Sequence, residues 1–457
     1  MNNHNQKVIS IPIETKVREF DGKLWVGLNA VERGYGVVLG PYFEIRHALG
    51  IIKPDIHITK DPGDGNVELF KQMDCAGITV CGLDTEGAVF ESMDQFTINK
   101  TEFLNHIDAF CAWGEKPANA VRKHYSGTDK IHVTGNPRFD LLRPNRRFIY
   151  EERAKTFIKK YGQFILINGN FSSANPYAES VIKKSEEIYD PSSNSEISYN
   201  NRIFHLFIEV IYHLQTEFPE THIVIRPHPS EKNETYEAAF RKYEHIHVED
   251  ARDVRDWIAG SSVVIHHDCT TGIESAMMGT PVVSYRPVQN EEYESRLPQI
   301  VSHEASSRRD LTEYIAAWLE ADDSYKMTDE QTNELKQYFY NINESAAELM
   351  CDVIESLDTT RQRNYNLLEP NLAGSLKQRI KSSSLCNQAI AAYDGFHKVI
   401  GDESIPKHRQ YQKQKFPILD RHEIIDTIEQ MKPLLETDAV SVKQVPRTNN
   451  TYYLRPK

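Results

Sequence analysis

The chain has 457 residues and a formal net charge of −13, which disfavours general binding to nucleic acid, because phosphate contacts need a clustered basic face. Its length favours two domains plus an extension, and its 39% hydrophobic and 10% aromatic residues suffice for substantial cores. No apolar run approaches the roughly 18 residues needed to cross a bilayer, and the polar residues 1–7 lack the apolar stretch of a secretory signal. We therefore expect a cytoplasmic protein.

A β-α-β unit opens the chain. Residues 8–13 are strand-like, apolar positions over 17–31 recur at spacings of three and four as on one face of a helix, and residues 36–40 form a second short strand. Such units build parallel sheets with right-handed crossovers. We predict a doubly wound, Rossmann-like first domain over residues 1–145, with further strands at 56–58, 77–80, 109–113 and 130–133.

A second α/β series follows the charged stretch 143–160, so we place the domain boundary within residues 142–162. The predicted second domain covers residues 160–345, and its polar segment 174–202 is typical of a mobile insertion that acts as a lid. Residues 346–457 are predicted as a mainly helical C-terminal extension. The strands of the second domain are predicted at 164–167, 222–225, 246–248, 262–265 and 281–284, with helices such as 204–218 and 273–278 between them.

An acidic turn follows the strand predicted at 77–80. Asp84 and Glu86 stand two residues apart, so in an extended segment both carboxylates face the same way, and Gly87 lets the backbone turn sharply. Ligands bind beyond the carboxyl ends of parallel strands, and a carboxylate there can take a proton from an acceptor hydroxyl. An ordinary acidic turn is the alternative; a divalent cation is a weaker one, since nothing nearby completes a ligand set.

A stiff basic turn follows the strand predicted at 222–225. His228 lies between two prolines that fix the backbone and hold the ring in one direction. Together with the forked donors of Arg226, the imidazole forms a plausible phosphate clamp. A lone histidine is more often structural, but the arginine and the flanking prolines favour the clamp.

A predicted helix start follows the strand at 262–265. Thr270 and Thr271 stand where backbone N–H groups of a helix N-terminus bind anions, and their hydroxyls add donors. Glu274, about one turn further on, can accept hydrogen bonds from a ribose. A helix with an ordinary Thr cap is the alternative.

A metal site is not predicted. The six cysteines contain no C-x-x-C pair, which argues against both a zinc knuckle and a disulfide framework. Adjacent residues on a strand point to opposite faces, which disfavours a zinc site made of His266, His267, Asp268 and Cys269.

Several motifs resemble the bacterial surface carbohydrate biosynthesis proteins, a family of glycosyltransferases of the GT-B type. The resemblance covers most of residues 8–345 and continues more faintly beyond. It implies two Rossmann-like domains that face each other across a cleft, with a helical C-terminal extension. The motifs lie at residues 14–21, 135–140, 168–171, 226–231 and 270–281.

A more distant similarity is to bacterial sialyltransferases and Kdo transferases, which use CMP-activated ulosonic acids. Those enzymes carry an acidic pair before glycine, a His-Pro motif that holds the CMP phosphate, and a Ser/Thr pair for the same phosphate. Glu86, His228 and the pair Thr270-Thr271 match these motifs. The chain departs from the pattern at Thr85, where those enzymes have an acid, so Asp84 remains a rival to Glu86 as the catalytic carboxylate.

The resemblances imply a metal-independent glycosyltransferase that needs no cofactor beyond its donor. It would move a nonulosonic acid or Kdo from a CMP-sugar to a glycan or lipid-linked glycan of a capsule or lipopolysaccharide. Glu86 or Asp84 would act as base or nucleophile. A CDP-polyol phosphotransferase, a UDP-sugar 2-epimerase and a non-catalytic capsule-assembly partner are alternatives. The implied nucleotide-sugar site contains Asn168, Asn170, Arg226, His228, Ser230, His267, Thr270, Thr271 and Glu274.

The segment 372–419 is locally basic, with eight Lys or Arg against three acids. A solvated helical face is the ordinary interpretation of such a segment. Docking at the anionic inner face of the cytoplasmic membrane is the alternative.

Overall fold

The chain divides into two compact units. A computed structural model describes residues 6–59, 66–83, 102–125, 127–176, 195–250, 253–320, 325–342, 344–368, 416–436 and 440–457. The first unit contains the described residues of Met1–Leu141, Lys336–Glu403 and Lys415–Lys457, and the second contains those of Leu142–Leu335. Within these ranges, the helices are all too short or too polar to cross a membrane.

The first unit is built on an eight-stranded sheet. Its strands are β1 (Val8–Ile13), β2 (Gly36–Pro41), β3 (Ile56–Thr59), β4 (Thr79–Leu83), β5 (Ala109–Ala112), β6 (Ile131–Val133), β13 (Val440–Gln444) and β14 (Tyr452–Pro456). They lie in the order β13-β14-β2-β1-β3-β4-β5-β6. The strands from β2 to β6 are parallel, and the strand order reverses at β1, which is where such sheets bind ligands.

The second unit is built on a six-stranded parallel sheet. Its strands are β7 (Phe164–Asn168), β8 (His222–Arg226), β9 (Ile246–Val248), β10 (Val263–His266), β11 (Val282–Tyr285) and β12 (His303–Ala305). Their order, β12-β11-β10-β7-β8-β9, is the Rossmann order, with its switch point between β7 and β10. One face of the sheet packs on an aromatic core that includes Phe171, Phe204 and Phe207.

The helices connect these strands and cover the sheets. Numbered in chain order, the described α-helices are α1 (Lys16–Glu32), α2 (Tyr42–Ile52), α3 (Val67–Cys75), α4 (Glu115–His124), α5 (Phe148–Tyr161), α6 (Glu196–Glu217), α7 (Asn233–Phe240), α8 (Val254–Gly260), α9 (Thr271–Met278), α10 (Arg296–Ile300), α11 (Arg308–Glu320), α12 (Asp329–Tyr338), α13 (Ala346–Ser356) and α14 (Arg421–Met431). Short 3₁₀ turns lie at Glu102–His106, Thr128–Lys130, Pro137–Leu142, Tyr340–Ile342, Tyr365–Leu368 and Lys432–Leu434.

The predicted α/β fold with two parallel sheets is confirmed, and every predicted strand is present. β12 was not predicted, because three residues at a sheet edge carry almost no periodic signal. The C-terminal segment differs in part from the predicted helical extension: α13 and α14 are helices, but β13 and β14 form an antiparallel hairpin that pairs with β2. Most of the predicted lid and of the basic segment lies outside the described residues.

Asp140 joins the loop after β6 to helix α13 in the first unit. Its carboxylate is fully buried and accepts hydrogen bonds from the N–H groups of Ala346 at 2.8 Å and Ala347 at 2.9 Å and from the hydroxyl of Ser345 at 3.2 Å. These groups lie at the N-terminus of α13, where backbone donors lack partners within the helix. Asp140 therefore fixes the start of α13 to the turn that follows β6.

We predict that Asp140→Ala lowers the free energy of unfolding by about 3 kcal/mol, because it leaves buried donors at Ala346 and Ala347 without an acceptor. Asp420→Ala is the matched control, since Asp420 caps the exposed start of α14 by accepting the N–H of Glu423 at 2.9 Å, and its loss should lower the free energy of unfolding clearly less than that of Asp140. Urea unfolding followed by circular dichroism measures both. Equal losses would contradict the structural role of Asp140.

Candidate functional site

The loops after β7, β8 and β10 carry the predicted nucleotide-binding residues of the second unit. Asn168, the last residue of β7, pairs in register with Arg226 on one side and His266 on the other. Neighbouring strands lie about 4.8 Å apart, so the three loops emerge side by side at one edge of the sheet. This edge includes the switch point between β7 and β10, where open parallel sheets bind ligands.

The buried carboxylate of Glu231 fastens the loop after β8 to the loop after β7. It accepts the N–H groups of Phe171 at 2.9 Å and His228 at 3.1 Å and the hydroxyl of Tyr236 at 2.6 Å. Burial raises the pKa of Glu231, although these donors oppose the rise. The backbone at His228 is therefore held relative to β7. Sequence reasoning missed Glu231, because its partner Phe171 is distant in the chain.

His228 is held with a defined tautomer. The backbone N–H of Ser230 donates to Nδ1 of the ring at 3.2 Å, so in the neutral imidazole the proton resides on Nε2. The side chain is half-buried. The loop thus presents a rigid hydrogen-bond donor just beyond the carboxyl end of β8, which is the chemistry that a phosphate clamp requires.

The side chain of Arg226 lies next to the ring of Trp257, which belongs to helix α8. Its guanidinium carbon is 5.7 Å from the centroid of the Trp257 ring, and Nη2 donates to the carbonyl of Asp250 at 3.4 Å. Burial lowers the pKa of Arg226 to about 10, against the opposing effect of nearby carboxylates led by Asp253. The group stays protonated at neutral pH. A direct contact between Arg226 and a phosphate remains a prediction.

The N-terminus of α9 lies beyond the end of β10. Thr270 occupies the cap position, but its side chain forms no capping hydrogen bond, so the ordinary Thr cap is not what is found. The buried hydroxyl of Thr271 has no hydrogen-bond partner in the described part of the chain. Asp268, with a left-handed φ of 46°, accepts the N–H of Ser295 at 2.6 Å and fixes the turn into the helix.

A row of buried polar side chains lies beneath α9. Asn168, His266 and Ser284 are paired in register on adjacent strands and are almost fully buried. Within the described residues, Asn168 Nδ2, His266 Nδ1 and Ser284 Oγ have no hydrogen-bond partner. His266 Nε2 lies 2.8 Å from Ser302 Oγ, and a Cβ at Gly272 would approach that nitrogen to 2.5 Å. Buried polar atoms without a partner are uncommon in protein interiors, and a functional role is one explanation for them.

Two predicted site residues belong to the protein interior. His267 lies among aromatic rings, with Nδ1 3.3 Å from the Tyr285 carbonyl and Nε2 3.2 Å from the Tyr199 hydroxyl. Burial lowers its pKa to about 4. Its ring contacts different residues from the ring of His266, whose Nε2 lies near Ser302. Glu274 is also fully buried. Nucleotide contacts by either residue remain predictions.

Arg286 extends the same edge beyond β11 and was not predicted. Its Nε donates to Glu294 at 3.0 Å and its Nη1 to Glu304 at 2.8 Å, and Tyr199 donates to Glu294 as well. This network links the end of β11 to the residues around His267. Arg286 directly follows β11, and Arg226 is the last residue of β8. An arginine at the carboxyl end of a predicted strand is the signal that could have identified Arg286.

The remaining predicted residues divide into two groups. Asn170 is exposed and accepts the Ser172 hydroxyl at 3.0 Å, and Ser230 supplies the N–H that orients His228. Asp84 and Glu86 lie outside the described residues, which stop at Leu83, the last residue of β4.

Comparisons with known proteins identify the fold. No family model and no curated protein matches the chain. UDP-GlcNAc 2-epimerase from Methanocaldococcus jannaschii, solved with UDP-GlcNAc and UDP, is similar with a TM-score of 0.50 and 14% identity over 76% of this chain and 99% of that one. The wall teichoic acid polymerase TagF has a TM-score of 0.50 and 10% identity, over 76% and 88%. Identities this low show the fold alone, which is GT-B, with two Rossmann-like domains.

We predict that Glu231→Ala lowers the free energy of unfolding by about 3 kcal/mol, because it leaves the buried donors of Phe171, His228 and Tyr236 without an acceptor. Glu231→Gln keeps an oxygen for the backbone donors and should lose less than half as much. Glu234→Ala, at an exposed position three residues further on, is the control and should have almost no effect. If urea unfolding gives the same result for Glu231→Ala and Glu234→Ala, the fastening role of Glu231 is refuted.

Proposed function

We propose that the chain is a nucleotide-sugar-dependent glycosyltransferase of surface-glycan biosynthesis. The observation that carries this proposal is the edge of the second sheet, where the His228 loop and the Thr270 loop flank the switch point. Asn168 Nδ2 and His266 Nδ1, which have no hydrogen-bond partner among the residues that the structure describes, belong to the same edge. The solved structures of similar fold include proteins named for nucleotide-sugar and teichoic acid chemistry, which favours this class of enzyme.

The proposed chemistry is stabilisation of a departing nucleotide phosphate. Negative charge develops on that phosphate as the sugar leaves, and donors that are already in place stabilise it without reorganisation. The Nε2–H of His228, the hydroxyls of Thr270 and Thr271, and the N-terminus of α9 are such donors. The rigid turn fastened by Glu231 keeps the imidazole in position through the reaction.

The finer proposal is that the donor is a CMP-activated nonulosonic acid or Kdo. Its support is the match of His228-Pro229 and Thr270-Thr271 to the phosphate motifs of CMP-ulosonic acid transferases. Glu86, with Asp84 as rival, would act on the acceptor hydroxyl, and Glu274 would orient the ribose. A single phosphate suits one imidazole and one helix N-terminus, and no cofactor or metal is invoked.

A UDP-sugar 2-epimerase or a CDP-polyol phosphotransferase is the second candidate. The specific observation in its favour is the similarity to a UDP-GlcNAc 2-epimerase with bound UDP and to a teichoic acid polymerase. Both alternatives use the same edge of the second sheet but bind a diphosphate.

Thermal unfolding with CMP, CDP, UDP or GDP tests these proposals. A ligand at about 100 times its Kd adds roughly 2.7 kcal/mol of stability, so we expect CMP to raise the unfolding temperature and the diphosphates to have less effect. A shift with CDP or UDP only would favour the second candidate. The absence of a shift with every nucleotide would contradict the nucleotide site and favour a non-catalytic partner.

Variants at two histidines test whether CMP raises the unfolding temperature by binding at the proposed site. His228→Ala should weaken CMP binding at least about tenfold, since hydrogen bonds to charged groups contribute about 1.5–3 kcal/mol. His205→Ala, at an exposed position on α6, should bind like the wild type. Calorimetric titration of CMP measures both, and equal affinities would remove His228 from the phosphate site.

A further inference from the structure

A cavity of about 400 Å³ lies between helix α14 and strand β13 in the first unit. Its volume is within the roughly 300–1,000 Å³ that is typical of small-molecule sites. The proposed nucleotide site belongs to the second unit, so the residues that line this cavity have no part in it. The chemistry of the two walls indicates which ligand the cavity fits.

Helix α14 forms one wall with a single stripe of side chains. Arg421, Ile425, Ile428 and Lys432 all line the cavity, and their spacings of four, three and four place them on one side of the helix. Ile428 is buried and Ile425 is half-buried. This wall is therefore apolar in the middle and cationic at both ends.

Strand β13 forms the other wall and is an edge strand. Within the described residues it pairs only with β14. Val440 and Val442 line the cavity, and Val442 is buried. The Nε of Arg421 donates to the carbonyl of Val442 at 3.0 Å, which holds the start of α14 against the strand. Apolar side chains thus lie on both walls.

Cationic residues outnumber acids around the cavity. The carboxylate at the end of the chain offsets the ammonium of Lys457, which leaves Arg421, Lys432 and Lys443 against the single acid Glu429. Arg421 and Lys443 are exposed, so their charged groups are accessible to a ligand. Such a local excess attracts an anionic group even to a chain of negative net charge.

The other acids in the first part of α14 do not cancel this excess. Glu423 pairs with Lys16 at 2.6 Å, and Asp420 accepts the N–H of Glu423 at 2.9 Å. Asp426 does not line the cavity. The residues of the two walls therefore determine the charge that a ligand in the cavity meets.

An exposed apolar residue precedes the cationic end of α14. Ile418 is 79% exposed, the largest fraction among the large hydrophobic side chains of the described residues. Its carbonyl accepts a hydrogen bond from Lys16 at 2.6 Å, which holds the backbone. Exposed apolar side chains beside cations are typical of surfaces that bind membranes. The segment 372–419, which leads directly into α14, adds eight Lys or Arg against three acids.

We propose that the cavity between α14 and β13 binds a phospholipid with an anionic head group at a membrane surface. The acyl chain packs against Ile425, Ile428 and Val442, and the head-group phosphate lies near Arg421 and Lys443. Ile418 enters the lipid layer beside the cavity. This site is separate from the proposed nucleotide chemistry and places the first unit against the membrane.

Soluble short-chain lipids test the cavity in the full-length protein. The probes are dihexanoyl phosphatidylglycerol, dihexanoyl phosphatidylcholine and glycerol 3-phosphate, each titrated below any micelle-forming concentration and followed by ligand-detected NMR. Because the cavity offers both apolar walls and cations, we expect phosphatidylglycerol to bind at least tenfold more tightly than either other probe. Equal binding of glycerol 3-phosphate would indicate a site for free phosphate, and equal binding of phosphatidylcholine an apolar site that ignores charge. Either result, or no binding of phosphatidylglycerol, would overturn the proposal.

Variants assign the binding to the two walls. Lys443→Gln should weaken phosphatidylglycerol binding about fivefold, the effect of one basic residue near an anionic lipid, and leave phosphatidylcholine unchanged. Ile425→Asn should weaken both lipids. Arg447→Gln is the matched control, because it removes the same charge from an exposed position of the same hairpin that does not line the cavity. If Lys443→Gln and Arg447→Gln bind phosphatidylglycerol equally, the cavity is not the lipid site. This comparison holds even if Ile425→Asn fails to fold.

Vesicle flotation tests the membrane surface itself. The wild type should float with vesicles of phosphatidylcholine that contain phosphatidylglycerol and not with vesicles of phosphatidylcholine alone. Ile418→Ser should weaken flotation but leave the soluble-lipid titration unchanged, since Ile418 does not line the cavity. Flotation that survives both Ile418→Ser and Lys443→Gln would mean that another surface binds the membrane and would contradict the proposal. These measurements need no nucleotide, so their outcome is independent of CMP binding.

Discussion

The buried carboxylate of Glu231 is the interaction on which the candidate nucleotide site depends. Placing a carboxylate in the interior costs free energy unless donors surround it, and here Phe171, His228 and Tyr236 supply them. Because two of these donors are backbone N–H groups of different loops, the carboxylate fixes the ends of β7 and β8 relative to each other. Ser230 then orients the imidazole. The phosphate chemistry proposed for this edge requires that rigidity, since a donor that must reorganise stabilises a developing charge less well.

The first unit uses a buried carboxylate in a similar way. Glu19 caps α1 and balances Lys23, as Glu231 fastens two loops, so at both sheet edges a carboxylate is engaged inside the protein. A chain with a net charge of −13 nevertheless carries a donor-rich edge at the end of β8, where Ser230 orients the ring of His228. Local placement of charge, rather than the net charge, determines which ligands such a protein can attract.

Much of the fold was predictable from the sequence, because parallel strands buried on both faces produce short continuous apolar runs. β12 and the C-terminal hairpin lack that signal, and their pairing depends on distant strands. The position of a candidate residue was predictable where a motif follows a strand, as for His228 beyond the end of β8. It was not predictable where the significance of a residue lies in its partner, as for Glu231 with Phe171 or for His266 in the polar row. Asp84 and Glu86 remain predictions from the sequence.

Hydrogen exchange of the full-length protein, measured by mass spectrometry with and without saturating CMP, tests the central claim most directly. The account places the nucleotide phosphate between the loop after β8 and the start of α9. It predicts slower exchange of backbone amides in residues 226–231 and 269–274 when CMP is bound, and no change in helix α14 of the first unit. Protection that appears only elsewhere, or CMP binding without protection of either segment, would contradict it.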